Sequence, residues 1–187
     1  MKAVPESSLI EFFGAVADAS PIPVGIHNAP EYLGIGLSIT GTSLHKRHPN
    51  FKIVKLEASA LAIARLIDQG TLDVFNGRDG IEMLDSMYAG AAGIIPGAEV
   101  ADLLLRIFDL FDAGSAESIK EAEGRYQEIL PLPIVLMESM DTFLVDGKYV
   151  LGRRFAIKEI DARVPFAPPT AFGLETTRRY AAVAGSF

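Results

Sequence analysis

Short apolar runs alternate with segments of helical period along the first two-thirds of the chain. In residues 7–19, Leu9, Phe12, Phe13 and Val16 share one helical face, and Ser8 with Glu11 has capping-box spacing. Pro21 and Pro23 end that helix, and Val24-Gly25-Ile26-His27-Asn28 reads as a buried strand closed by Pro30. Residues 38–46 predict a helix weakened by Gly41 and two threonines. Strands at 51–56, 72–76 and 92–95 alternate with helices at 59–69, 81–89 and 100–113. Gly70, Gly90 and Gly114 stop the three helices.

The order is one helix followed by four strand–helix units. That alternation predicts parallel pairing through helical crossovers, with strands buried on both faces. An open doubly wound sheet and a (β/α) barrel both satisfy it. No strand is followed by G-x-G-x-x-G or a P-loop, and Gly34-Ile35-Gly36 lacks the rest of either pattern. Beyond Gly114 the pattern is helical. Residues 115–130 have a charged face, and Pro131 and Pro133 break that helix. One or two helices follow over 134–160, interrupted near Asp146-Gly147. Pro165, Pro168 and Pro169 make a loop before a last helix at 174–184. No linker intervenes, so residues 114–187 read as a helical extension of the domain formed by residues 1–113.

Composition narrows the functional classes. The 187 residues are 49% apolar, with 17 Lys and Arg against 24 Asp and Glu. This is globular rather than disordered. With no cysteine there is no disulfide scaffold, zinc-thiolate site or cysteine nucleophile. Three histidines, and Asp141, Asp146 and Asp161 without ligand spacing, predict no metal. A net charge of −7 argues against nucleic acid, the short run His45-Lys46-Arg47-His48 being the basic exception. No apolar run approaches the ~20 residues of a membrane span, and residues 1–9 lack a signal-peptide pattern, so a cytoplasmic setting is expected.

Lys55 closes an apolar strand, where burial disfavours an ammonium and a lowered pKa suits a Schiff-base nucleophile. The alternatives are a head group in solvent or an ion pair with Glu57. His27 ends the preceding strand, where it could move protons or simply bond a loop carbonyl. Asn28 reads as a strand-end cap, and Asp79 as a cap for the next helix. Ligands of parallel α/β folds bind at the carboxyl ends of strands, where His27, Lys55, Gly77 and Ile95 all fall.

Four segments, taken together, resemble a known family. They are Ile26-His27-Asn28-Ala29-Pro30, Ile53-Val54-Lys55-Leu56-Glu57-Ala58-Ser59, Asn76-Gly77-Arg78-Asp79 and Gly90-Ala91-Ala92-Gly93-Ile94-Ile95. In order and spacing they are similar to motifs of the dihydrodipicolinate synthase/N-acetylneuraminate lyase family. The resemblance implies an α/β fold of (β/α)8 TIM-barrel type, with about the last four β/α units present plus C-terminal helices. It implies an imine between Lys55 and pyruvate or another 2-oxo acid, with Gly77 and Ile95 lining the pocket by their backbones, no cofactor, and oligomeric assembly.

Three departures qualify it. His27 stands where the family usually has a proton-shuttling tyrosine. Glu31-Tyr32 occupy the region of an arginine found in dihydrodipicolinate synthases, which argues against aspartate semialdehyde. The Gly-Thr-Thr-Gly-Glu-type motif of the front of the barrel is not in this chain. The expected function is a Schiff-base lyase, aldolase or dehydratase of a 2-oxo acid, partnered by its own copy or by a front half-barrel. A non-catalytic half-barrel serving as an assembly or binding module is the alternative; an open α/β protein with unrelated ligand binding is a weaker third. Four strands cut from a barrel would uncover Ile26, Ile53, Val74 or Phe75, and Ile94 or Ile95 on their inward faces.

Overall fold

The computed structural model describes residues 4–38, 41–70, 72–157 and 168–185. Asp161 and Pro165 lie outside the described residues. The elements are α1 (Glu6–Ala19), β1 (Val24–Asn28), α2 (Pro30–Leu33), a 3-10 turn (Gly41–Lys46), β2 (Phe51–Leu56), α3 (Ala60–Ile67), β3 (Asp73–Asn76), a second 3-10 turn (Arg78–Gly80), α4 (Met83–Tyr88) and β4 (Gly93–Ile94). Then come α5 (Ala101–Asp112), α6 (Ala116–Ile129), α7 (Pro131–Leu136), α8 (Met140–Arg154) and α9 (Ala171–Ala184). The packing divides into two compact units, one of residues 1–78 with 82–95, the other of 79–81 with 96–187.

In the first unit the strands form one parallel sheet in the order β1-β2-β3-β4. Successive side chains alternate between its faces. Ile26, Val54 and Val74 are buried on one face, clustered with Ala17 of α1, Leu44 of the 3-10 turn, and Ile63 and Leu66 of α3. The opposite face carries Gly25, His27, Ile53, Lys55, Asp73 and Phe75, and is open: Gly25, His27, Ile53 and Asp73 are exposed. The expected burial on both faces is therefore corrected, and Ile26 and Val74 belong to the helix-covered face. Polar residues at alternate positions account for it, since His27, Lys55 and Asp73 all fall on the open side. Among the described residues the sheet ends at β1 and β4, whose outer N–H and C=O groups have no strand partner.

Local details also differ from the pattern reading. Helix α1 begins at Glu6 behind Pro5, with no side-chain cap; Leu9, Ile10 and Phe13 pack on the core while Phe12 and Val16 are exposed. Pro131 opens α7, occupying a first-turn position where no N–H is needed. Helix α8 runs through Asp146-Gly147; the interruption lies just before it, where Ser139 accepts the Thr142 N–H at 3.0 Å.

In the second unit Val100, just before α5, and Leu103, Leu104 and Ile107 of α5 are buried, as are Ile129 of α6 and Leu132 and Leu136 of α7. Tyr126 donates its hydroxyl to Gly80 O at 2.9 Å, tying residues 79–81 to α6. Asp79 does not cap α4, which starts without a side-chain cap; its Oδ1 accepts the Gly97 N–H at 2.7 Å instead. The Asp79 and Glu99 carboxyls are joined by a hydrogen bond, and both residues are buried. Burial pushes the Glu99 carboxyl above its ordinary 4.5, against its backbone hydrogen bond, the Asp79 bond and the Arg154 charge. The folded state thus holds a proton that the unfolded state releases near pH 4.5, and stability falls as pH rises through the folded value. Glu99→Gln should stabilise the protein at pH 8 by about 1–2 kcal/mol and leave it unchanged at pH 4. Urea melts at both pH values check this; equal midpoints for the two proteins at pH 8 would contradict it.

Candidate active site

His27 and Lys55 are register partners on β1 and β2, so their side chains leave the same face of the sheet. Glu57 lies two residues beyond Lys55 along the same chain direction, its N–H bonded to Asn28 O at 3.1 Å. Its side chain is 6% exposed, and its carboxylate gathers the site together. Oε1 lies 2.7 Å from Lys55 Nζ and 2.9 Å from His27 Nε2. Oε2 accepts the backbone N–H of Arg78 from the turn after β3. Lys55 is 22% exposed, and His27, at 55%, stands on the solvent side.

Gly77 is shaped by this carboxylate. A Cβ at position 77 would stand 2.2 Å from Glu57 Oε1, so a side chain there would drive the carboxylate from its donors. The turn is tight as well: Arg78 and Asp79 adopt φ of 49° and 53°, in the left-handed region. This backbone turns the Arg78 N–H onto Glu57. The Arg78 side chain leads elsewhere, its Nη1 lying 3.2 Å from Glu82 Oε1. Beside it, Tyr32 is held above its ordinary 10.0 by burial and the Glu57 charge.

The electrostatics follow from the donors. Burial alone would raise the Glu57 carboxyl. Hydrogen bonds from Lys55, the Arg78 N–H and His27 outweigh it, and the group lies below its ordinary 4.5. Asn28 supports the loop behind the site, donating Nδ2 to Leu37 O and accepting the Leu37 N–H on Oδ1, both at 2.9 Å.

Of the residues expected from sequence, His27, Lys55 and Gly77 converge on one carboxylate. Ile95 follows β4 at the next strand end, exposed, its N–H bonded to Asn76 O at 2.8 Å. Glu57 was legible only as an ion-pair partner for Lys55. Its two-residue spacing from Lys55, facing the glycine that follows the next strand, is the signal for its larger role. Among the described residues no group of three or more His, Asp or Glu is placed to hold a metal ion. No helix among them is long and apolar enough to cross a membrane.

Known proteins share this arrangement of strands and helices. Over 127 residues the chain is 32% identical to the probable mitochondrial 4-hydroxy-2-oxoglutarate aldolase of Emericella nidulans, covering 65% of this chain and 41% of that one. It is 28% identical over 137 residues to the L-2-keto-3-deoxyarabonate dehydratase of Azospirillum brasilense, covering 69% and 42%. It superposes with a TM-score of 0.84 and 21% identity on the chloride-inhibited dihydrodipicolinate synthase of Acinetobacter baumannii complexed with pyruvate, covering 100% of this chain and 64% of that one. The chain resembles the C-terminal part of the dihydrodipicolinate synthase/N-acetylneuraminate lyase family. No family model matches it. The fold is that of a (β/α)8 barrel of which four β/α units are present, followed by helices. The chain spans about two-fifths of the length of these two curated relatives.

The Glu57 cluster has a stability signature of its own. Because the folded carboxyl lies below 4.5, its contribution is fully present above that pH and is lost as pH falls through the folded value. Glu57→Gln should cost about 1–2 kcal/mol at pH 7, less than a fully buried pair because Lys55 is partly solvated. The difference from the native protein should shrink below pH 4.5. A difference constant from pH 3 to 7 would show that the carboxylate charge carries none of it.

Proposed function

We propose that this chain is the lysine-bearing half of a Schiff-base-forming lyase, a class I aldolase-type enzyme acting on pyruvate or another 2-oxo acid. One observation carries the reading: Lys55 and His27 meet on a single Glu57 carboxylate oxygen at the carboxyl ends of adjacent parallel strands. Lys55 passes a proton to Glu57 Oε1 and its amine attacks the C2 carbonyl of the 2-oxo acid. The carbonyl oxygen takes a proton from the Glu57–His27 pair, giving a carbinolamine. A second proton from the lysine nitrogen, relayed through the same pair, lets that hydroxyl leave as water, and an iminium remains on Lys55. The iminium accepts the electron pair freed when a proton leaves C3 or when the C3–C4 bond breaks. His27, open to solvent, exchanges protons with bulk water where the family's tyrosine otherwise acts.

The backbones of Gly77 and Ile95 flank this chemistry. The aldolase and the dehydratase among the relatives carry different activities, so the partner substrate is left to the residues of the front half-barrel. Incubation with pyruvate and borohydride should add the mass of the reduced adduct to Lys55, and Lys55→Arg should abolish it. Labelling confined to other lysines, in a preparation supplied with a front half-barrel, would overturn the assignment and favour a non-catalytic assembly or binding module.

The open face and the two free sheet edges support a second half-barrel as partner, either a copy of this chain or a separate front half. Sedimentation at micromolar concentration should show association, with a melting temperature that rises with protein concentration. A monodisperse monomer whose melt is cooperative and independent of concentration would overturn it.

A further inference from the structure

A groove of about 610 Å³ lies among α7, α8 and α9, within the second unit. Its size suits a small organic ligand, for which pockets span about 300–1,000 Å³. Val135, Val145 and Phe172 contribute apolar walls. Its acidic groups are Glu138, Asp141 and Asp146, and among the described residues no lysine or arginine lines it.

Asp146 is the informative member. It is 7% exposed, yet among the described residues its Oδ1 has no hydrogen-bond partner. Its Oδ2 packs toward Gly173, where an added Cβ would come within 3.1 Å. Burial raises this carboxyl above its ordinary 3.8, and among the described residues no donor or cation opposes it. Glu138, by contrast, accepts a hydrogen bond from Thr142 Oγ1 at 3.1 Å. Buried carboxyls are ordinarily paired or hydrogen-bonded, because desolvation without compensation costs several kcal/mol. A carboxyl oxygen without a partner among the described residues, in a side chain that lines an apolar groove bearing two further carboxylates, calls for a ligand with an N–H donor, a positive charge and an apolar body.

We propose that this groove binds a small primary amine, its ammonium donating to Asp146 and its apolar body lying on Val135, Val145 and Phe172. A neutral ligand of the same shape leaves the carboxyl uncompensated, and an anion is repelled by all three carboxylates. The site is independent of Lys55 and would stand if the lyase reading failed.

Titration calorimetry on the full chain with phenethylamine, 2-phenylethanol and 3-phenylpropionate separates these terms. Phenethylamine should bind saturably at one site, 2-phenylethanol roughly tenfold to a hundredfold more weakly, and 3-phenylpropionate not at all. Asp146→Asn, which keeps the side chain's shape, should bring phenethylamine down to the level of 2-phenylethanol, while Lys55→Arg leaves its affinity unchanged. Equal binding of amine and alcohol by the native protein, the absence of saturable amine binding, or retention of full affinity in Asp146→Asn would each overturn the proposal.

Discussion

A carboxylate taken out of water must find donors, and the site is organised around how Glu57 finds its own. Three groups converge on its two oxygens: the Lys55 ammonium, the His27 ring and the Arg78 N–H. They come from β1, from β2 and from the turn after β3, so the carboxylate is satisfied only when those strands hold their parallel register. A slip of one residue would send Lys55 to the helix-covered face. Gly77 completes the constraint, since the carboxylate occupies the space a side chain would take. One buried acceptor thus links strand register, turn geometry and the placement of the two candidate proton-transfer groups.

The two faces of the sheet divide the work of folding and chemistry. Ile26, Val54 and Val74 supply the apolar face on which the helices pack. The alternate positions hold groups that a core would exclude, and they stay accessible because no layer covers them among the described residues. Burial of large aliphatic side chains contributes roughly 1.5–3 kcal/mol each, so leaving Ile53 exposed forfeits stability that a covering partner would recover. The same openness leaves the Lys55 side chain partly exposed.

Three buried carboxyls show three solutions to one electrostatic problem. Glu57 is ionised and saturated with donors, which holds its pKa down. At Glu99 burial outweighs the backbone hydrogen bond, the Asp79 bond and the Arg154 charge, and its pKa is up. Asp146 Oδ1 has no hydrogen-bond partner among the described residues, and burial raises this carboxyl unopposed. What differs is the supply of N–H groups and charges at each position. That supply separates a carboxylate held ionised by its donors, a carboxyl raised by burial against opposing bonds and a buried acceptor without a partner among the described residues.

Strand–helix alternation is written in local composition, which is why the sequence alone determined the parallel sheet, its sequential order and the carboxyl-end positions of His27, Lys55, Gly77 and Ile95. Apolar runs and glycine stops act within a few residues, so they survive without knowledge of the fold. Other features depended on distant partners. The Ser8–Glu11 spacing made no cap because Pro5 already starts the helix. The Asp146-Gly147 pair left α8 unbroken, glycine in a helix costing only about 1 kcal/mol against the packing of the whole segment. Asp79 turned from the helix beside it to the Gly97 N–H, eighteen residues away. Glu57 looked like a neighbour for one lysine; only the tertiary structure brought it His27 and the Arg78 N–H as well, because a buried acceptor takes its donors from whatever the folded chain places within about 3 Å, at any separation in sequence.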